Sequence, residues 1–338
     1  MTTLIFCWVL FGLCAILILA AGPRLTRNAE IIAAKKGLSD EWVGLILLAS
    51  ITSLPELAAG VSSVTLANAP DIAVGAVFGS CVFNLVMLVV LDFAVRGESV
   101  YRQARQAHIL SAGFGIMLVG FAGLTMMVGG FGINPSIGHL GVGSFVIIGL
   151  YIIATRAIYN YEAKLRESAA LEAAKELPEQ SLSQAQKTVA YAAIAILIGG
   201  SLLPVVGAEI ADRMAIGRGF MGTIFVAAAT SLPELTVSLA ALRQGSVNMA
   251  IANLLGSNLF NILILAVEDG LYLKAPLLES ASPIHVATAM AAMVMTGVVI
   301  AGLLYRPKTR LFRTVGWTSI ALFTVYLVNA YIVYLSAS

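Results

Sequence analysis

Charge is scarce in this chain. Lysine, arginine, aspartate and glutamate make up 11% of its 338 residues, against roughly 25% in a soluble protein. Hydrophobic residues reach 59%, so a water-soluble domain is excluded. The formal net charge of +2 points to neither nucleic acid nor an acidic partner. Cysteine is sparse as well. Cys7, Cys14 and Cys81 all fall in apolar stretches without metal-type spacing and read as small packing residues. His108, His139 and His285 are scattered near helix starts and form no cluster in the sequence, so a zinc or haem centre is not expected. No Ser-His pair and no His-Glu-x-x-His run supplies the chemistry of an intramembrane enzyme. The apolar start at Thr3–Ala21 lacks the basic flank and small-residue cleavage site of a signal peptide, and reads as a retained first helix.

What is present is a series of long apolar stretches. About 20 such residues cross a bilayer, and ten candidates follow in order: Thr3–Ala34, Trp42–Ala67, Ile72–Val95, His108–Gly129, Ile137–Tyr159, Val189–Ala211, Phe220–Leu242, Met249–Leu271, Pro283–Leu304 and Val315–Tyr334. The first is too long to stand upright and must tilt or break near Gly22-Pro23. Residues 160–187 are the one long polar piece, expected as a partly helical cytoplasmic linker between units 1–159 and 188–338. A stretch rich in Ala, Glu and Leu, Glu167–Leu177, reads as a short solvated helix there. With both termini outside, 17 of the 20 lysines and arginines lie on the inner side, leaving Arg213, Arg218 and Lys274. That asymmetry selects the orientation.

One stretch occurs twice. Thr52-Ser-Leu-Pro-Glu-Leu57 is repeated at Thr230–Leu235, and each copy is followed by Gly-Ser-x-x-Phe-Asn, at Gly79–Asn84 and Gly256–Asn261. Thr52 precedes Ser80 by 28 residues and Thr230 precedes Ser257 by 27. Ala29-Glu30-Ile31 and Ala208-Glu209-Ile210 precede the two copies, and Asp92 and Asp269 follow each asparagine by eight. Five spans per copy is an odd number, so the second copy is expected upside down relative to the first. The expected fold is an all-α membrane protein of ten transmembrane helices in two inverted five-helix repeats, an architecture of secondary transporters with a site near the midplane.

The repeated residues suit a hard cation. A glutamate in mid-membrane is costly, and proline removes a backbone donor from the carbonyl four residues back, Ile51 or Ala229. Thr52, Ser53 and Glu56 share a helix side, as do Thr230, Ser231 and Glu234, and Ser80 with Asn84 and Ser257 with Asn261 repeat the four-residue spacing. Hydroxyl, amide, carbonyl and carboxylate oxygens without nitrogen or sulfur ligands favour Ca²⁺ and Na⁺. Two carboxylates balance one Ca²⁺ or two Na⁺, and protons also serve. Glu30, Glu209, Asp92, Glu268 and Asp269 lie near span ends and read as vestibule or interfacial charges.

The doubled Thr-Ser-Leu-Pro-Glu and Gly-Ser-x-x-Phe-Asn motifs resemble those of the sodium/calcium exchangers in the cation/calcium exchanger superfamily. The resemblance covers nearly the whole chain apart from the linker. It implies an antiporter, not an enzyme, with no cofactor, that exchanges Na⁺ for Ca²⁺ by alternating access in the cytoplasmic membrane. It implies Glu56 and Glu234 as central Ca²⁺ ligands, with Thr52, Ser53, Ser80, Thr230, Ser231 and Ser257 serving flanking Na⁺ sites and Asn84 and Asn261 at the middle. The first and sixth helices would slide. Beyond the two ions and the lipid bilayer, it implies no obligate protein partner. Departures are Ile51 and Ala229 where many relatives carry glycine, Ala76 and Ala252 within the usual Gly-Asn-x-x-Gly-Ser run, and Asn261 where some prokaryotic relatives carry aspartate. A Ca²⁺/H⁺ antiporter of the same fold is the rival, and a passive channel a remote one. Leu235 after Glu234, where proton-coupled relatives sometimes carry histidine, favours sodium. The linker has no acidic cluster suited to calcium sensing.

Overall fold

A computed structural model describes residues 2–35, 49–95, 98–133, 135–167, 180–307 and 316–336. The first half comprises α1 (Thr2–Lys35), α2 (Ala49–Thr52), α3 (Leu54–Thr65), α4 (Pro70–Ala94), α5 (Val100–Gln103), α6 (Ala107–Gly130), a hairpin of β1 (Ser136–Ile137) and β2 (Leu140–Gly141), and α7 (Val142–Glu167). The second comprises α8 (Leu182–Met214), α9 (Arg218–Phe220), a π-helical turn at Met221–Val226, α10 (Ala227–Thr230), α11 (Leu232–Arg243), α12 (Val247–Leu271), α13 (Leu277–Ser280), α14 (Ile284–Tyr305) and α15 (Trp317–Leu335). Among the described residues, nine stretches are long and apolar enough to cross a membrane. The expected span 42–67 is described only from residue 49, as the broken pair α2 and α3.

The two longest helices, α1 and α8, pack along each other. Buried Cys7, Phe11, Cys14, Ile18, Ala21 and Leu25 on α1 recur alternately every four and three residues, and so do Ala192, Ile196, Gly199, Leu203, Val206 and Ile210 on α8. This is the seam spacing of paired helices. Gly199 lets α8 approach α1, and a β-carbon there would lie 3.1 Å from the Cys14 carbonyl. The opposite side of α1 exposes Ile5, Phe6, Val9, Leu13 and Ile16, a surface suited to lipid. Of the tilt or break expected near Gly22-Pro23, the break does not occur: α1 runs through Pro23. Gly22 instead makes room for Pro233 of α11, whose ring would lie 2.5 Å from a β-carbon at Gly22. Gly200 of α8 does the same for α3, where a β-carbon would lie 3.1 Å from the Pro55 carbonyl.

Helices α4 and α12 are the most buried spans and pack against each other at the centre. Each ends in an aspartate that holds the start of a distant helix. Asp92 Oδ1 accepts from Ser99 Oγ (2.8 Å) and Val100 N (3.0 Å), and its Oδ2 from Gly316 N (3.3 Å) and Ser319 Oγ (2.8 Å). Asp269 Oδ1 accepts from Leu277 N (2.7 Å), and its Oδ2 from Gly141 N (2.9 Å) and Ser144 Oγ (2.6 Å). Both are buried, which corrects their reading as interfacial charges. The physical reason is that helix starts leave backbone N–H groups without partners, and a carboxylate supplies them.

A second matched pair involves histidines. Asn248 Oδ1 accepts from Arg105 N (2.7 Å) and His108 Nε2 (3.2 Å). Asp71 Oδ1 accepts from Ser282 N (2.6 Å) and pairs with His285 Nε2 (3.3 Å). His108 and His285 thus start α6 and α14 in equivalent ways.

Other differences are local. The hairpin at 136–141 delays the expected fifth span to Val142, because Gly138 takes a positive φ of 65° and turns the chain. Helix α7 continues to Glu167 and α8 begins at Leu182, capped by Ser181 Oγ accepting from Gln184 N, so both ends of the stretch 160–187 are helical. Apart from Glu167, the solvated helix expected at 167–177 lies outside the described residues.

A stranded buried donor costs about 1–3 kcal/mol. Asp92→Ala strands four donors and Asp269→Ala three. Both variants are expected to melt earlier in detergent, Asp92→Ala by the larger margin, as read by thermal scanning fluorimetry. Unchanged melting would remove these caps from the architecture.

Candidate cation-binding site

Proline sets the shape of the site. Pro55 and Pro233 stand in the first turns of α3 and α11, so each helix breaks just before them, at Ser53 (φ −86°, ψ 13°) and Ser231 (φ −85°, ψ 4°). Backbone bonding resumes around each break, with Ser53 N donating to Ala49 O and Ser231 N to Ala227 O, both at 3.1 Å. Proline at 55 and 233 leaves the Ile51 and Ala229 carbonyls without their usual helical donors. In a bilayer core such carbonyls must face protein, water or an ion.

The two breaks meet and cross. Ser53 Oγ donates to Glu234 Oε1 at 3.1 Å, and Ser231 Oγ contacts Glu56 Oε1 at 2.8 Å and Ser80 Oγ at 3.0 Å. Each glutamate is therefore held by the serine of the other half. Both are buried. The second oxygen of each, Oε2, has no hydrogen-bond partner among the described residues.

Around this pair lie the remaining expected residues. Thr52 Oγ1 is 3.3 Å from Ser257 Oγ and 3.3 Å from Asn253 Oδ1, and also reaches Ala49 O at 3.2 Å. Thr230 Oγ1 turns back on its own helix, to Val226 O (3.1 Å) and Ala227 O (3.3 Å), as threonine in helices commonly does. Asn84 Nδ2 donates to Asn258 Oδ1 at 3.0 Å, while Asn84 Oδ1 has no partner among the described residues. Asn261 is buried with neither amide atom hydrogen-bonded to a described residue. A cluster of buried oxygens without protein partners is the chemistry a hard cation completes.

Three neighbours were not singled out from the sequence. Asn258 Nδ2 donates to Cys81 O (3.1 Å) and ties α12 to α4 beside Asn84. Asn253 Nδ2 reaches Ser238 Oγ (3.1 Å) and Glu234 O (3.4 Å), steadying the α11 start. The signal for Asn253 was its place in the Gly-Ser run; Ser238 is one turn after Glu234. Close helix approach is enforced by Gly79, where a β-carbon would collide with the Thr223 carbonyl in the π-helical turn.

The fold and this buried oxygen cluster define an ion-transporting membrane protein. The family model described as sodium/calcium exchanger protein matches residues 6–159 and 188–334, and the chain belongs to that family. The family consists of transporters, not enzymes, and its class is the cation/Ca²⁺ antiporter. Among its relatives, inner membrane protein YrbG of Escherichia coli K12 is 25% identical over 319 residues, covering 94% of each chain. Sodium/calcium exchanger MaX1 of Methanosarcina acetivorans is 27% identical over 306 residues, covering 80% of this chain and 84% of its own. Among solved structures, the sodium-calcium exchanger NCX_Mj superposes with a TM-score of 0.63 at 22% identity, covering 96% of this chain and 97% of that one. That likeness establishes the fold.

The crossing is directly testable. In a background with Cys7, Cys14 and Cys81 replaced by alanine, Ser80→Cys with Ser231→Cys is expected to form a disulfide on mild oxidation. Mass spectrometry reads the bridge. Thiols that remain freely alkylated would show that the second break does not reach α4 of the first half.

Proposed function

We propose that the protein exchanges Na⁺ for Ca²⁺ across the cytoplasmic membrane by alternating access. The observation that carries this reading is the crossed pair, in which Ser53 holds Glu234 and Ser231 holds Glu56 with one oxygen of each carboxylate left over. Ca²⁺ takes about 6–8 oxygens. Glu56 and Glu234 stand at the centre of such a set, with Asn84, Asn261 and the freed carbonyls beside them. The hydroxyls of Thr52, Ser53, Ser80, Thr230, Ser231 and Ser257 serve flanking Na⁺ sites. Two carboxylates in a water-poor site repel when bare, so the site favours movement only when Ca²⁺ or Na⁺ neutralises it.

The architecture belongs to the same proposal: ten spans in two inverted repeats, 1–159 and 188–338, joined by a cytoplasmic linker, with both termini outside. Three matched features support the inversion. They are the aspartate caps at Asp92 and Asp269, the helix starts at His108 and His285, and the glycine seats at Gly22 and Gly200. The α1–α8 pair touches the broken helices through those glycines. Sliding of that pair would expose the site to one side and then the other.

Proton coupling is the competing reading, favoured by Asn261 standing where a third carboxylate would strengthen Na⁺ binding. Uptake of radioactive Ca²⁺ into proteoliposomes decides between them. Uptake that requires internal Na⁺ is expected. Uptake driven by a pH gradient alone would transfer the protein to the proton-coupled branch, and conductance without a counter-ion would make it a channel.

Glu56→Gln and Glu234→Gln are each expected to reduce Ca²⁺ uptake to the level of protein-free liposomes, and retained transport in both would discard the site. Asn261→Asp is expected to alter the dependence of uptake on internal Na⁺. An unchanged Na⁺ dependence would remove Asn261 from the ligand set.

A further inference from the structure

Glu268 is an ionisable side chain of a membrane helix that neither the proposed exchange nor the helix caps use. Its place near the end of α12 suggested an interfacial charge, but it is 0% exposed. Neither carboxyl oxygen has a hydrogen-bond partner among the described residues. The side chain lies against α3 at Gly60, where an added β-carbon would collide with the carboxyl group. Gly60 stands one turn beyond Glu56 on the same helix side, and Glu268 stands two turns beyond Asn261 on its own. Glu268 therefore continues the lining of the site in one direction.

The duplication does not require it. The shift of 177 residues that carries Ser80 to Ser257 and Asn84 to Asn261 sets Glu268 opposite Leu91. The shift of 178 that carries Glu56 to Glu234 sets Gly60 opposite Ser238. The two equivalent positions across the halves are thus Leu91 with Ser238 and Glu268 with Gly60, the glycine making room for the glutamate. The groups that titrate or carry charge around it are engaged elsewhere or like-charged. Glu56 lies on the Gly60 side of α3 and is held by Ser231. Asp269, next in sequence, turns to Gly141, Ser144 and Leu277. On the other packed helices, Glu234 is held by Ser53, Asp92 caps Ser99 and Ser319, and His108 pairs with Asn248. Tyr151 of α7 stacks edge-on with Phe260. No lysine or arginine among the described residues bonds to Glu268.

The surroundings choose its ligand. A metal cation needs several oxygens, whereas Glu268 meets the backbone of a glycine. A bare carboxylate in such a place is expensive, and a proton removes the charge without asking for further ligands. We propose that Glu268 is a proton-binding site on the external side of the Glu56–Glu234 pair, closed against Gly60 when protonated. External pH then sets how often the outward route opens. The side assignment rests on the exchanger orientation argued above, in which α3 and α12 both run outward. Loss of the proton to external water leaves a carboxylate that requires hydration, so it leaves Gly60 and the route opens. Acid outside favours the closed state.

Infrared difference spectroscopy on the full-length protein in lipid, wild type against Glu268→Gln, is expected to show the carbonyl stretch of a protonated carboxyl that the variant lacks. Ca²⁺ uptake at fixed internal pH and fixed Na⁺ gradient is expected to slow as the outside is acidified, approaching about tenfold per pH unit for a single proton. The variant's own rate is expected to lose that slope. Glu268→Leu, which copies Leu91, serves if the glutamine variant does not fold. Identical spectra would overturn the proposal, and so would a variant that keeps the wild-type pH slope. If the wild type moves no Ca²⁺ under any gradient, the exchange reading falls, while the infrared band still decides whether Glu268 holds a proton.

Discussion

A bilayer offers no hydrogen bonds, and the structure depends on that constraint. Every polar group in mid-membrane must be matched by the protein or by what the protein carries. The two proline breaks free a carbonyl each, and the two glutamates bring charge to the same depth. Neither half can satisfy its own carboxylate. Ser53 reaches across to Glu234, and Ser231 reaches across to Glu56. The halves are joined where each is most in need of a partner, and one oxygen of each carboxylate is left without a hydrogen bond among the described residues.

The rest of the framework brings those breaks together. Glycines at 22 and 200 let the long helices lie against Pro233 and the Pro55 turn. Gly79 lets α4 approach the π-helical turn. Asp92 and Asp269 anchor the starts of α15 and α7, and each aspartate belongs to the opposite half from the helix it holds. The same contact made twice, each time across the halves, binds the duplicate into a single body. The duplication lapses at Glu268, which stands opposite Leu91.

Much of this was legible in the sequence. Apolar runs of membrane length, a costly glutamate and proline occurring twice, and the absence of nitrogen and sulfur ligands led to a duplicated transporter with an oxygen site. Family membership agrees with the transporter class. The misreadings share a cause. Asp92, Asp269 and Glu268 stand near the ends of spans, and distance along a helix was taken as distance from the membrane centre. The short helices α5 and α13 and the hairpin before α7 cover those ends, so the carboxylates are buried. The first span was expected to tilt or break near Pro23, and α1 stays whole, with its seam against α8 running on both sides of the proline.

The sequence by itself determined which residues must lie in the membrane, which of them are too polar to lie there without a task, and that the task was written twice. Those are local properties, readable from hydropathy, spacing and the cost of a charge. Tertiary structure alone decided the partners: serine of one half with glutamate of the other, Asn84 with Asn258, Asp92 with Ser319, Glu268 with Gly60. These contacts join residues far apart in the chain. Their distances follow from how helices pack, and no periodicity within a single helix encodes them.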